Sequence, residues 1–298
     1  MWKDLLLSTY YHATLPMRNW LARKRAREGQ APISILFYHR VADTCPNDWT
    51  MSRDMFAQQI AWLRERFDLI SLAQAQERIV CGVNYRPAVC ITFDDGYREN
   101  CEFALPLLVQ ERIPCTYFVS SWFVGENQPF PHDCLRGEPL PPNTIEDLRS
   151  MVKEGIEIGA HTRTHADLGT IHDPQRLQEE VVGCAHELED WVGAPIRYFA
   201  FPYGLHPNLN AEAFRLARRA GYAGACSAYG GYNFPGDDAF HLQRIHADPE
   251  MLRLKNWLTV DPRKQRRVQR FEYEVAPPPP RDYEDYLPPS QRTRASQV

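Results

Sequence analysis

No Cys-x-x-Cys pair occurs in this 298-residue chain, and its eight cysteines (45, 81, 90, 101, 115, 134, 184 and 226) are widely spread. That excludes a small disulfide scaffold and a thiolate metal clamp. Cys90 and Cys115 sit inside apolar, strand-like runs, where a reduced thiol is simply a small hydrophobe, so a reducing compartment is favoured. Positive charge is not in excess either: a net charge of -4 gives no electrostatic case for nucleic acid. Nor is there an apolar run that makes a convincing signal peptide or transmembrane segment. Leu5-Leu6-Leu7 is preceded by Asp4 and followed by polar residues and the basic run Leu21-Ala22-Arg23-Lys24-Arg25-Ala26-Arg27. These absences favour a cytoplasmic location. The basic run reads as a solvated helix face in preference to a weak peripheral contact with an anionic membrane. There is no internal repeat, and nothing bears on oligomeric state.

What is present is an ordinary globular composition, 44% hydrophobic and 24% charged. Short apolar runs at 33–38, 88–93, 115–119, 156–160, 197–201, 222–226 and 241–245 read as strands. Between them lie helical patterns opened by Ser52, by Ser71 with Gln74 in a capping box, by Asp173-Pro174 and by Asn210. The stretch 122–142, rich in Gly, Pro and aromatics, reads as a long loop. Strand and helix thus alternate about seven times, which predicts one α/β domain over 31–260 with a parallel sheet, open or closed into a barrel. Residues 1–30 form an N-terminal extension. Residues 261–298, with the Pro277–Pro280 run, form a polar tail too poor in apolar residues to pack.

The chain is organised around Ile91-Thr92-Phe93-Asp94-Asp95-Gly96-Tyr97, where two carboxylates follow a buried strand. Two adjacent carboxylates repel, and partial burial makes that worse, so a cation is expected beside them. If one binds a divalent metal and the other stays free, the free one can take a proton from activated water, as in a metal-assisted hydrolase. A plain strand-end turn explains the same residues. Gly159-Ala160-His161-Thr162-Arg163-Thr164-His165 carries two imidazoles four apart, placed by their spacing on one side of a helical turn and able to chelate one ion or merely to bond within a loop. Because parallel strands end on one face, Asp95, His161 and His165 can meet there. After a third strand, Pro202-Tyr203-Gly204 offers a backbone N–H and a phenol to a developing oxyanion, or is only a turn.

TFDDG at 92–96, HTRTH at 161–165 and FPYG at 201–204, in that order, resemble the motifs of the polysaccharide deacetylases, carbohydrate esterase family 4, with the NodB-homology domain. FYHRV at 37–41 followed by WT at 49–50 resembles the poly-N-acetylglucosamine deacetylase branch. The resemblance covers about 33–248. It implies a distorted (β/α) barrel of about seven parallel strands, one divalent metal ion, most often Zn2+, and an N-acetylated glycan as substrate. Residue by residue, it implies Asp94 as general base, Asp95, His161 and His165 as metal ligands, and the Tyr203 amide as oxyanion donor.

Two departures stand out. Ala200 occupies the position of an arginine that orients the base in many members, so Arg40, Arg163, Arg197 or Arg244 would have to substitute. The late Leu-x-His motif that supplies the acid has no clear match, and His246 is the nearest candidate. His39, Pro202, Tyr203 and Tyr232 are expected to line the substrate pocket. The activity implied is removal of acetyl from an N-acetylated sugar in a polysaccharide, an oligosaccharide or a lipid-linked glycan. Hydrolysis of a non-sugar amide and a non-catalytic glycan-binding barrel remain as alternatives.

Overall fold

Fully buried apolar side chains along Ile33–Tyr38 (β1) and Ala88–Phe93 (β2) set two parallel strands side by side, paired from Ile33↔Ala88 to Tyr38↔Phe93. The structure, a computed structural model, describes residues 2–267 and 269–273. Five more parallel strands follow: β3 (Cys115–Val119), β4 (Glu157–Ala160), β5 (Tyr198–Ala200), β6 (Gly224–Ser227) and β7 (His241–His246). Their order is β1-β7-β6-β5-β4-β3-β2, and β2 pairs back onto β1, so the sheet closes into a seven-stranded parallel barrel flanked by helices. The barrel is distorted: β4 and β5 share a single residue pair, Ala160↔Phe199.

Alternation along the strands sends one set of side chains inward. Ile33, Ile35, Cys90, Phe118, Tyr198, Ala200, Cys226 and Leu242 form this interior cluster. Its N-terminal end is plugged by helix Leu72–Val80, started by the Ser71–Gln74 capping box, which adds Leu72, Ala75 and Ile79. Gln76 on the same helix donates to the Ala223 and Ala239 carbonyls and accepts from the Tyr198 hydroxyl. With that end sealed by apolar packing, the open C-terminal end is left for polar chemistry.

The loop expected over 122–142 contains two one-turn helices, Ser121–Gly125 and Pro131–Leu135, around an aromatic cluster of Tyr97, Phe123 and Phe130. The N-terminal extension is one helix, α1 (Trp2–Arg27). It packs on helix Met251–Leu258, with Arg18 bonded to Asn256 and Tyr10 to Asp261. Packing runs past residue 260: Pro262–Arg267 is helical, and Tyr273 is buried and stacked on Phe214. Two aromatics, Phe271 and Tyr273, anchor a stretch that average polarity assigns to the tail. Residues 274–298, including the proline run, lie outside the described residues.

Gly159 is required by close approach: a Cβ there would lie 2.4 Å from the Phe118 ring. Gly159→Ala is therefore expected to lower stability by about 1–3 kcal/mol through overpacking of the barrel interior, read as a lower denaturant midpoint.

Candidate functional site

The inward parity of β2 continues past Thr92 to Asp94, and that of β7 through Arg244 to His246, so these side chains meet at the open end of the barrel. Arg244 is fully buried and forks onto Asp94, with Nη1 2.6 Å from Oδ1 and Nη2 2.8 Å from Oδ2. Its Nε–H donates to the Ser227 carbonyl, and its guanidinium lies over the Phe37 and Phe118 rings. Burial is the largest single influence and would raise the Asp94 pKa, but the charge and hydrogen bonds of Arg244 together with the nearby His161 and His39 outweigh it and hold the carboxyl below its ordinary value. Of the four arginines named as candidates to stand in for the one missing at Ala200, Arg244 is the one that contacts Asp94. Of the other three candidates, Arg40 pairs with Glu99, Arg163 with Glu187 and Arg197 with Glu157.

Asp95 follows with φ +77°, a left-handed conformation that turns its carboxylate away from Asp94. Its Oδ1 stands 3.4 Å from His161 Nε2 and 3.2 Å from His165 Nε2, and is buried with no hydrogen-bond partner. His161 Nδ1 lies 2.8 Å from the Ala200 carbonyl, which can only accept, so the proton sits on Nδ1 and Nε2 presents a lone pair. These three side chains, with all mutual ligand-atom separations under 4.8 Å, form a cluster that could hold a cation. A tetrahedral ion bound by N and O at ~2.0–2.2 Å needs ligand spacings of roughly 3.3–3.6 Å. The residues present fit one divalent metal.

The two histidines do not share a helical turn. The segment 161–167 is a loop in which Thr162 and His165 both have positive φ, +59° and +55°. Glu180 holds it: its carboxylate accepts from the Thr164 N–H at 2.8 Å and the Thr164 hydroxyl at 2.5 Å, and its carbonyl accepts from the Arg163 N–H. Glu180 reaches inward because Glu179–Gly183 is a π turn inside the helical run that continues as Cys184–Val192, one extra residue that rotates Glu180 to the buried side. Sequence reading missed Glu180. The signal available in the sequence is Val181-Val182-Gly183-Cys184-Ala185 directly after Glu180, a run without a polar residue that is too long for a 3.6-residue stripe.

Tyr203 is exposed, with φ +60°, and its ring meets His165 edge-on at 5.1 Å. Gly204, also at positive φ, packs so closely on Ala228 that a Cβ would lie 2.6 Å away, which fixes the turn. Pro202 is buried beneath it. His39, inward after β1, lies 4.6 Å from the Trp49 ring and 6.5 Å from His246. Burial pushes its imidazole down to about 4, and its Nδ1 has no partner. His246, 5.3 Å from Phe37, is likewise lowered by burial. Tyr232 is a correction. It is buried, donates to the Trp257 carbonyl, accepts from the Asp261 N–H, and neighbours Phe234 and Trp257 instead of the site residues. Its loop must descend from the end of β6 to the start of β7, and Asn233 pairs with Ile33 at the beginning of β1, which draws the loop to the closed side.

Residues 83–225 match the family model described as Polysaccharide deacetylase. That match spans 143 of the 298 residues and takes in Asp94, Asp95, His161, His165 and Tyr203. A chitooligosaccharide deacetylase of Bradyrhizobium sp. (strain ANU 289) is 32% identical to this chain over 120 residues, 40% of the chain and 47% of that relative. Two solved structures share the fold of this chain. IcaB from Ammonifex degensii has a TM-score of 0.63 at 24% identity, over 77% of this chain and 98% of that one. The Streptococcus pyogenes deacetylase PplD has a TM-score of 0.65 at 19% identity, over 78% and 100%.

Two outcomes are expected at this site. Elemental analysis should find a divalent metal in the purified protein, and less of it in His161→Ala and in His165→Ala. Arg244→Met should cost about 3–5 kcal/mol of stability by stranding a buried carboxylate, and the loss should shrink in an Asp94→Asn background, as a double-mutant denaturation cycle would show.

Proposed function

We propose that the domain is a metal-dependent deacetylase that hydrolyses the acetamide of an N-acetylated sugar within a polysaccharide, an oligosaccharide or a lipid-linked glycan. The observation that carries this is the division between the two neighbouring carboxylates. Asp95 converges with His161 and His165, whereas Asp94 is turned away and held ionised by Arg244. A binding module has no use for a cation site with a free, charge-stabilised carboxylate beside it. The names of relatives that act on N-acetylglucosamine-containing substrates, the Bradyrhizobium chitooligosaccharide deacetylase among them, support a sugar acetamide.

Asp95, His161 and His165 would hold the cation, for which zinc suits one carboxylate and two imidazoles; when bound it supplies Lewis-acid activation of the carbonyl and of water. Asp94 accepts the proton of the attacking water, and the Arg244 fork keeps its oxygens in one orientation while the charge is lost. The Tyr203 N–H, turned by its left-handed conformation, donates to the oxygen of the acetyl group as charge develops there. The leaving nitrogen needs a proton. His246 is assigned that role, with His39 lining the same wall beside Trp49. Trp49 is half exposed and offers a flat face to a pyranose ring. Pro202 and Tyr203 form the opposite side of the substrate position.

Asp94→Asn keeps the shape but removes the base. Acetate release from N-acetylglucosamine oligomers should fall about 10²–10⁴-fold while metal content is kept. Near-normal turnover would show that another group takes the proton. Turnover of small acyclic or cyclic amides with none of the oligomers would move the substrate away from sugars.

A further inference from the structure

The exposed large hydrophobic side chains fall into two groups. Trp49, Leu135, Tyr203 and Leu205 are on the loops that carry or border the active site. Trp2, Leu5, Leu6, Met17 and Trp20 are on α1, and Val80, Val83 and Tyr85 surround the point where its C-terminal end meets the barrel. Contact there is close, since a Cβ on Gly29 would touch the Tyr85 ring at 3.3 Å and Val83 at 3.4 Å. On α1 the exposed positions follow helical spacing and share one arc, opposite the face that buries Tyr11 and Arg18. The arc carries tryptophan near both ends of its apolar part, Trp2 at 76% and Trp20 at 62% exposure, and no acidic residue. Its next turn is Arg23, Lys24 and Arg27, all exposed.

We propose that this face of α1 rests on an anionic lipid surface. Apolar side chains flanked by tryptophan suit the boundary between headgroups and acyl chains, and a basic turn on the same arc suits anionic headgroups. Lys24 is paired with Glu28 at 3.9 Å, so the turn's excess charge is that of Arg23 and Arg27; it selects lipid over a second copy of the chain, because a symmetric dimer would carry those two like charges of each subunit into its own interface. Among the described residues no helix is long and apolar enough to cross a membrane, so α1 lies on the surface. This site is remote in the chain from the metal ligands, and its test does not depend on catalysis.

The full-length protein is sedimented with phosphatidylcholine vesicles, with and without phosphatidylglycerol. Binding is expected only to the anionic vesicles, weakening with salt and accompanied by a blue shift of tryptophan emission that Trp20→Ser reduces. Arg23→Gln and Arg27→Gln should each weaken partitioning about fivefold with thermal unfolding unchanged. No binding to anionic vesicles, equal binding of wild type and both charge variants, or self-association in solution abolished by Trp20→Ser would each overturn the proposal.

Discussion

The Arg244–Asp94 pair sits where an otherwise apolar barrel interior gives way to chemistry. Neither charge is tolerable there alone: desolvating one ion costs several kcal/mol, and only a well-formed partner offsets it. The fork geometry of arginine answers both carboxylate oxygens at once, which an ammonium cannot do. Phe37 and Phe118 press on the guanidinium faces, and Ser227 takes a remaining N–H. Once this pair is fixed, Asp95 must leave in another direction, and a left-handed residue is how the chain does so. The divergence of the Asp95 carboxylate from that of Asp94 follows from packing.

Strain is concentrated in the same place. Asp95, Thr162, His165 and Tyr203 all adopt positive φ, a conformation that costs about 1–3 kcal/mol at such residues and persists only where neighbours over-determine it. The determining contacts are identifiable: the Arg244 fork behind Asp94, Glu180 under the histidine loop and the Gly204–Ala228 contact under Tyr203. Arg244, Glu180 and Gly204 are buried and Ala228 is half-buried. The site's shape is carried by groups outside the Asp95, His161 and His165 cluster.

Much of this was legible in the sequence because strand ends in a parallel barrel are common ground for side chains far apart in the chain. Asp95, His161 and His165 could be brought together from their positions just after the ends of β2 and β4, and the helix starts at Ser52, Ser71 and Asn210 follow from capping chemistry. Other features were hidden for physical reasons. Choosing Arg244 among four arginines required knowing which strands are neighbours in space, since Asp94 and Arg244 are 150 residues apart. The π turn that presents Glu180 breaks the period on which helix reading depends. Tyr232 looked like a pocket aromatic because its loop follows a strand end, but a chain that must return to the other end of the barrel carries its side chains away from the site.

The sparse pairing between β4 and β5 gives His161 a second task. With one backbone pair between those strands, the bond from its imidazole to the Ala200 carbonyl acts as an extra rung across the thinnest seam of the wall. One edge of the ring braces the barrel while the other faces the cation position. The seam also separates the strand that leads into the histidine loop from the strand that leads to Tyr203, so breathing of the wall there would spread both halves of the active site together. In this molecule, the residue placed to hold an ion is also one that holds the barrel shut.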